Sequence, residues 1–173
     1  NLLMDDIRPY KEFAIKMCRE CRFSTGGDKF AAVNGNTINI FSTYTCENIG
    51  NLRGHNGKVR SVVWGKGDRK IMMVGIDGAV FIWSVRQGVK ESEHVQPRTA
   101  FHAGVATPEL SRIFTVSSDQ AVKEFVSAPG GAGAAAPTLA PQNTVSAETA
   151  LGAVCLTANQ RVLLVGTCEP GRP

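Results

Sequence analysis

Two cysteines three positions apart, Cys18 and Cys21, are residues whose types and spacing could do chemistry. Such a pair can supply half of a zinc site or form a redox-active dithiol. Alternatively, both residues are small apolar side chains within a strand, because free cysteine behaves as a buried hydrophobe. The choice among the three depends on the element that carries the pair.

The pattern around the pair favours the third possibility. If residues 17–23 form a strand, side chains alternate between its faces, so Cys18 and Cys21 point in opposite directions. They could not then hold one metal ion together, and no second pair of Cys or His has zinc-like spacing. Cys18 and Cys21 also align with the apolar residues Val59 and Val62, 41 positions later. We therefore predict that both cysteines are core residues, and we predict no metal site and no cofactor.

The remaining reactive side chains form no catalytic pattern. His55, His94 and His102 lack a nearby acid or nucleophile pattern. The glycine-rich stretch "GGAGAAAP" lacks the Lys-Ser/Thr ending of a phosphate-binding loop. The sequence therefore predicts a protein that is not an enzyme, with no catalytic residues.

Composition and charge narrow the class of protein. The 173 residues are 43% hydrophobic and 20% charged, which fits one globular domain. A net charge of +4 is mild for a nucleic-acid binder, and no run approaches the ~18 apolar residues of a membrane helix. Five irregularly spaced cysteines favour a reducing compartment over a disulfide framework. The start, "NLLMDDIRPYKEF", lacks the pattern of a signal peptide and suggests an excerpt from a longer protein.

The chain repeats itself with a period close to 42 residues. Asp77 aligns with Asp119 and Trp83 with Phe125, both 42 positions later, and Phe41 precedes Trp83 by the same interval. A further unit aligns only after seven extra residues. The surplus comes from "APGGAGAAAPTLAP", residues 128–141, whose low-complexity composition predicts a loop insertion.

Within each unit, short apolar runs are separated by turn residues, which is the signature of strands. The second unit shows the runs "KVRSVVW", "KIMMVG", "AVFIWSV" and the more polar "KESEHV", with Asp77-Gly78 as a hairpin signal. A helical solenoid is the alternative, but no window has a sustained 3.6-residue period. Four strands per unit predict an all-β WD40 β-propeller segment of about three and a half four-stranded blades. We place its units at about 15–53, 54–96, 97–147 and 148–173, the last truncated, with 1–14 ending a preceding blade.

The stretch "LRGHNGKVRSVVWGKGDRKIMMVGIDGAVFIWS" resembles a WD40 repeat, with His55, Asp77 and Trp83 at its characteristic positions. In that family, hydrogen bonds join the His, a Ser or Thr, the Asp and the Trp. Met73 occupies the Ser or Thr position, so we predict that the chain of hydrogen bonds is interrupted and that packing holds the blades. The corresponding structural positions of the other units are Phe41, Asp119 and Phe125.

Longer stretches carry a closer resemblance. The text "NLLMDDIRPYKEFAIKMCRECRFSTGGDKFAAVNGN", "CENIGNLRGHNGKVRSVVW" and "SSDQAVKEF" resembles part of the second propeller of the cilia- and flagella-associated protein 57 family. The resemblance implies a non-catalytic scaffold of the axoneme, in the cytoskeleton of a cilium or flagellum, that helps to anchor or position inner dynein arms. It also implies that the rest of the chain closes the propeller. A WD40 substrate-recognition or adaptor module in ubiquitin ligation or trafficking is the alternative.

The second unit is rich in basic residues. A solvated blade edge would explain them, and the alternative is a cationic surface facing an acidic partner such as tubulin or a dynein chain. The candidate partner-binding residues are Arg53, Lys58, Arg60, Lys66, Arg69 and Lys70.

Overall fold

The structure, a computed structural model, describes residues 8–16, 18–128 and 138–168. It contains fourteen strands and, within these ranges, one short 3-10 helix, Lys66–Asp68. The strands are β1 Cys21–Phe23, β2 Lys29–Asn34, β3 Thr37–Ser42, β4 Asn48–Arg53, β5 Val59–Trp64, β6 Lys70–Gly75, β7 Ala79–Ser84, β8 Val89–Val95, β9 Phe101–Ala106, β10 Arg112–Ser117, β11 Ala121–Ala128, β12 Thr138–Ser146, β13 Leu151–Leu156 and β14 Leu163–Thr167.

Consecutive strands form antiparallel sheets. The first sheet is β1–β4, the second β5–β8 and the third β9–β12, each with four strands in chain order, and β13 pairs with β14 in a two-stranded sheet. This arrangement confirms the predicted all-β class. Parts of the predicted outer units, residues 1–7 and 169–173, lie outside the described residues. Among the described residues, no helix has the length and hydrophobicity needed to span a bilayer.

The second sheet forms where its apolar runs predict strands. The turn between β6 and β7 needs a glycine, because Gly78 has a positive φ of 73° and its amide donates to the carbonyl of Gly75 at 3.2 Å. A Cβ on Gly78 would lie 2.2 Å from the carbonyl oxygen of Gln96. The Asp77-Gly78 hairpin predicted from the sequence is therefore confirmed. Both the positive φ and the lack of space for a side chain require glycine at position 78.

The second sheet is packed between the first and the third. All six residues of β7 are buried, as expected for a strand covered on both faces. One of its faces joins a cluster with the first sheet, and the opposite face joins a cluster with the third. The side chains of β6 and β7 towards the first sheet are Ile71, Met73, Ala79, Phe81 and Trp83, and those towards the third are Met72, Val74, Val80 and Ile82.

Hydrogen bonds join successive sheets at the repeat interval. Trp64 Nε1 donates to the carbonyl of Arg22 at 3.0 Å, and the amide of Lys66 donates to the carbonyl of Pro108 at 2.6 Å, each across 42 residues. The first strands of all four sheets line one cavity of about 480 Å³. These strands therefore lie nearest a shared centre, and β4, β8 and β12 lie farthest out.

The predicted loop insertion, 128–141, is too long. Ala128 ends β11, and residues 138–141 belong to β12, where Leu139 is buried. Pro141 is accommodated because it lies on an edge strand, opposite Phe125, where the register with β11 shifts. Residues 129–137 of the predicted loop lie outside the described residues.

The predicted first strand, 17–23, is also wrong in extent. Only Cys21–Phe23 forms β1, Met17 lies outside the described residues, and both Cys18 and Cys21 are exposed. Cys18 lies before β1, and the prediction fails for Cys21 because, among the described residues, no sheet packs on the far side of β1, whereas the aligned strand β5 is covered by both neighbouring sheets. Alignment with a covered strand therefore overstated the burial of the pair.

Candidate functional site

The polar centre of the second sheet joins a hairpin turn to the segment that enters β5. His55 Nδ1 lies 2.9 Å from Asp77 Oδ1, and Asp77 Oδ2 accepts the amides of Asn56 at 2.8 Å and Gly57 at 3.3 Å. The second sheet is therefore fastened at the His55 end by one carboxylate with several donors.

Burial sets the protonation of this pair. Burial lowers the pKa of His55 more than the adjoining carboxylate raises it, so the imidazole is neutral. Burial alone would raise the pKa of Asp77, but the hydrogen bonds from His55, Asn56 and Gly57 hold it below its usual value. The carboxylate accepts, so His55 carries its proton on Nδ1 and donates to Asp77.

The hydrogen-bond chain stops at His55. His55 Nε2 and Trp83 Nε1 are both buried without a partner, and Met73, at the position of the WD40 hydroxyl, is fully buried in the same cluster. This confirms the interruption predicted from Met73. A histidine acting as a general base must present a nitrogen to its substrate. In this structure the Nε2 of His55 is buried and presents no such nitrogen.

The third sheet keeps a different part of the pattern. Asp119 occupies the hairpin position, but its carboxylate contacts Lys123 and Ser117 instead of a histidine. Thr115 occupies the position of Met73, and its hydroxyl is buried and unpaired. Phe125, at the position of Trp83, is fully buried and packs near Phe101 with ring centroids 6.0 Å apart.

The first sheet replaces the polar centre with aromatic packing. Phe41, at the position of Trp83, stacks on Phe30 with ring centroids 5.1 Å apart, and Phe13 meets both rings edge-on. Such aromatic pairs contribute about 0.5 to 1.5 kcal/mol beyond the area they bury. Apolar contacts thus take over the role that hydrogen bonds have in the second sheet.

The structure separates the six basic residues predicted as one surface. Arg53 ends β4 of the first sheet and Lys58 precedes β5 at the adjacent end of the second sheet, whereas Lys66 follows β5 at the opposite end. The six-residue β5 between them is about 20 Å long. These basic residues therefore fall into groups at opposite ends of β5. Arg69 and Lys70 lie at the Lys66 end, and Arg60 lies within β5 with its Nε buried and unpaired.

Sequence reasoning missed Arg86, which completes the group at the Lys66 end. A cavity of about 480 Å³ between the first and second sheets is lined by both Arg69 and Arg86. Arg86 is 17 positions from Arg69 but lies in the next hairpin, where the amide of Val85 donates to the carbonyl of Arg69 at 2.9 Å. The predicted pairing of β6 with β7 could have indicated that Arg86 lies near Arg69, because it places the start of β6 beside the end of β7.

Among the described residues, no third potential metal ligand joins the cysteine pair. Within residues 8–16, 18–128 and 138–168, no three His, Cys, Asp or Glu side chains are placed to hold a metal ion. Partial burial raises the pKa of the Cys21 thiol, and the neighbouring Cys18 raises it further. A reactive dithiol requires the opposite shift, because the thiolate is the nucleophile.

Comparison with curated proteins finds relatives that share the name cilia- and flagella-associated protein 57. The chain is 49% identical over 125 residues, 72% of its length, to cilia- and flagella-associated protein 57 of Mus musculus. It is 35% identical over 134 residues, 69% of its length, to cilia- and flagella-associated protein 57 C of Tetrahymena thermophila. The chain spans 10% of the length of each of these relatives. No protein-family model matches the chain.

Solved structures share the fold at low sequence identity. The β-propeller domain of Cps50 (Swd1) from Myceliophteria thermophila superimposes with a TM-score of 0.70 at 19% identity, covering 85% of this chain and 47% of that one. The C-terminal WD40 domain of Sif2 gives a TM-score of 0.71 at 13% identity, with coverages of 86% and 42%. These matches confirm the predicted WD40 β-propeller fold.

Proposed function

Because the chain belongs to the cilia- and flagella-associated protein 57 family, we propose that it is part of a non-catalytic WD40 scaffold in the axoneme of cilia and flagella. The observation that carries this proposal is the 49% identity over 125 residues to a mouse protein named for cilia and flagella. The fold supports it, since propellers commonly present interaction surfaces on a rigid frame. Within that role, we propose that the scaffold helps to position inner dynein arms.

The proposal includes the remainder of the polypeptide. The chain spans 10% of the length of its mouse relative, and propellers close with 4 to 8 blades. We propose that the units 15–53, 54–96 and 97–147 are successive blades, and that further segments of the same polypeptide complete the ring. The apolar exposed side chain of Phe23, 65% exposed on the inner strand β1, is a surface that a closed ring would cover.

Tagging the intact protein at its genomic locus in a ciliated cell tests this function. We expect the tag along the axoneme, and we expect cryo-electron tomograms of cells lacking the protein to show inner dynein arms missing or displaced. A protein found only outside cilia would refute the scaffold function. A ciliary protein whose loss leaves every inner dynein arm in place would refute the positioning role alone.

A further inference from the structure

We propose that the groove between the first and second sheets, at the Arg69 end, binds an acidic peptide segment that carries an apolar side chain. This acidic-peptide groove is a specific partner site, and the inference rests on the proposed function as an interaction scaffold. Its residues come from β2, β3 and β4 of the first sheet and from the β5–β6 and β7–β8 connections of the second.

Two arginines are held side by side at the mouth of the groove. The backbone bond between Val85 and Arg69 fixes Arg86 next to Arg69, and both arginine side chains are exposed. Both also line an adjoining cavity of about 320 Å³, together with Lys70 and Glu91. Arg69 and Arg86, which come from two neighbouring turns, therefore line both cavities.

These arginines are free to bind carboxylates. Among the described residues, neither Arg69 nor Arg86 has a carboxylate within 4.0 Å, whereas Lys70 pairs with Glu91 at 2.6 Å. Lys29 is paired with Asp28. Guanidinium groups bind carboxylates through two parallel hydrogen bonds, so the pair suits acidic side chains.

The carboxylate of Asp68, which lines the groove, already has hydrogen-bond donors. Asp68 lines the cavity, but its two oxygens accept the amides of Thr25 at 2.6 Å and Gly26 at 2.8 Å. Its charge is directed towards the first sheet, where these bonds fix the turn. The unpaired charge left in the groove is positive.

The floor of the groove is apolar. Ile49 is 52% exposed and Val85 is partly buried, and beneath them Ile40 and Leu52 are almost fully buried. An extended peptide could place one apolar side chain against Ile49 while its flanking carboxylates contact the arginines. This apolar floor favours an acidic peptide over a nucleic acid, whose backbone offers charge without an apolar side chain.

The test measures binding of a fluorescein-labelled peptide, one leucine flanked by two glutamates on each side, to the intact protein by fluorescence anisotropy at low salt. We expect R69E/R86E to weaken binding by about tenfold or more, because two attractive charges become repulsive. The matched control R53E/K58E makes the same change in charge where β4 of the first sheet ends and β5 of the second begins, away from Arg69, and should change binding less than about twofold. Ile49→Ser should weaken binding about threefold through loss of the apolar contact.

Several outcomes would overturn the inference. They are no binding by the wild-type protein, equal losses in the two double variants, equal binding of a peptide with glutamine in place of glutamate, or preferential binding of single-stranded DNA. If R69E/R86E melts at a lower temperature than wild type, R69Q/R86Q replaces it and is expected to weaken binding in the same direction. Ciliary localisation of the wild-type protein is scored separately, so failure of the groove and failure of the scaffold function give different results.

Discussion

His55 donates from Nδ1 to the carboxylate of Asp77 at 2.9 Å across 22 residues, while its Nε2 is buried without a partner. Trp83 Nε1 is buried and unpaired in the same sheet, and Met73 pairs across the strands with Phe81, whose ring lies 4.5 Å from the imidazole. The polar centre of the second sheet therefore has a lone pair and an N–H group that no side chain satisfies.

Replacing Met73 with threonine should satisfy both groups. The hydroxyl could accept from Trp83 Nε1 and donate to His55 Nε2. Met73→Val is the matched control, because valine has the shape of threonine without the hydroxyl and leaves the same cavity. We expect the threonine variant to exceed the valine variant by about 1 to 2 kcal/mol in the free energy of unfolding. Urea denaturation of the intact propeller measures this difference, and equal stabilities would show that the two nitrogens are not within reach of a side chain at position 73.

The neutral state of His55 predicts a loss of stability in mild acid. Because burial lowers its folded pKa, the unfolded state takes up a proton first, and stability falls as the pH drops below about 6.5, the unperturbed value. The lowered pKa of Asp77 adds a second loss below about 4. Urea midpoints between about pH 7.5 and pH 5.5 should decline less in His55→Asn, which keeps a donor towards Asp77 without a titrating ring. A residual decline is expected from His94, whose pKa burial also lowers. An unchanged slope in the variant would contradict this account.

Asp68 should hold the first two sheets together. Burial alone would raise its pKa, but the amide donors Gly26 and Thr25 lower it overall, so the ionised form is favoured by the contact. Asp68→Asn keeps a side chain that tolerates the positive φ of 57° but weakens the acceptor, at a cost of about 1 kcal/mol. Hydrogen exchange of the Thr25 and Gly26 amides should accelerate.

The control for that change is Asp28→Asn, because Asp28 bonds to Ser24 and Lys29 within the first sheet. Its effect on the contact between sheets should be small. Equal protection of the Thr25 amide in wild type and Asp68→Asn would show that Asp68 does not join the sheets.

In the third sheet, removing Asp119 or removing Lys123 from their ion pair should change the free energy of unfolding by different amounts. The Lys123 side chain is 7% exposed and that of Asp119 46%, so Asp119→Asn leaves a buried ammonium without its carboxylate. We expect that change to cost about 2 kcal/mol, whereas Lys123→Met, which matches the apolar Phe81 of the second sheet, should be nearly neutral. In a double-mutant cycle, Lys123→Met should remove most of the cost of Asp119→Asn. Additive effects would contradict the pairing.

The repeat and the hairpins of the second sheet were predictable because their signals are local. Alternating apolar runs and the Asp77-Gly78 turn specify strands without reference to the rest of the chain, and Met73 at the Ser or Thr position of the WD40 repeat indicated the broken hydrogen-bond chain. The start of β12 was not predictable from its Ala- and Pro-rich composition, because Leu139 is ordered by pairing with β11 and by the core behind it. Tertiary contacts overrode the local preference there.

The error at Cys21 and the separation of the basic residues have a different cause. The alignment equated Cys21 with Val62, but burial depends on whether a neighbouring sheet covers the strand, and that is not encoded in the repeat unit. The basic residues were grouped by their closeness in sequence, although a six-residue strand places Lys58 and Lys66 at opposite ends of the sheet. Arg86 lies next to Arg69 in the structure but was missed because it is 17 residues further along the chain.

A cryo-electron microscopy map of the intact protein within ciliary axonemes would test most directly that these repeats are blades about one axis. We predict density for three adjacent four-stranded sheets, with β5 between β1 and β9 near the axis and the Trp64 indole bonded to the carbonyl of Arg22. Helices over these residues, sheets that mix strands from different repeats, or first strands that do not share a centre would contradict the account.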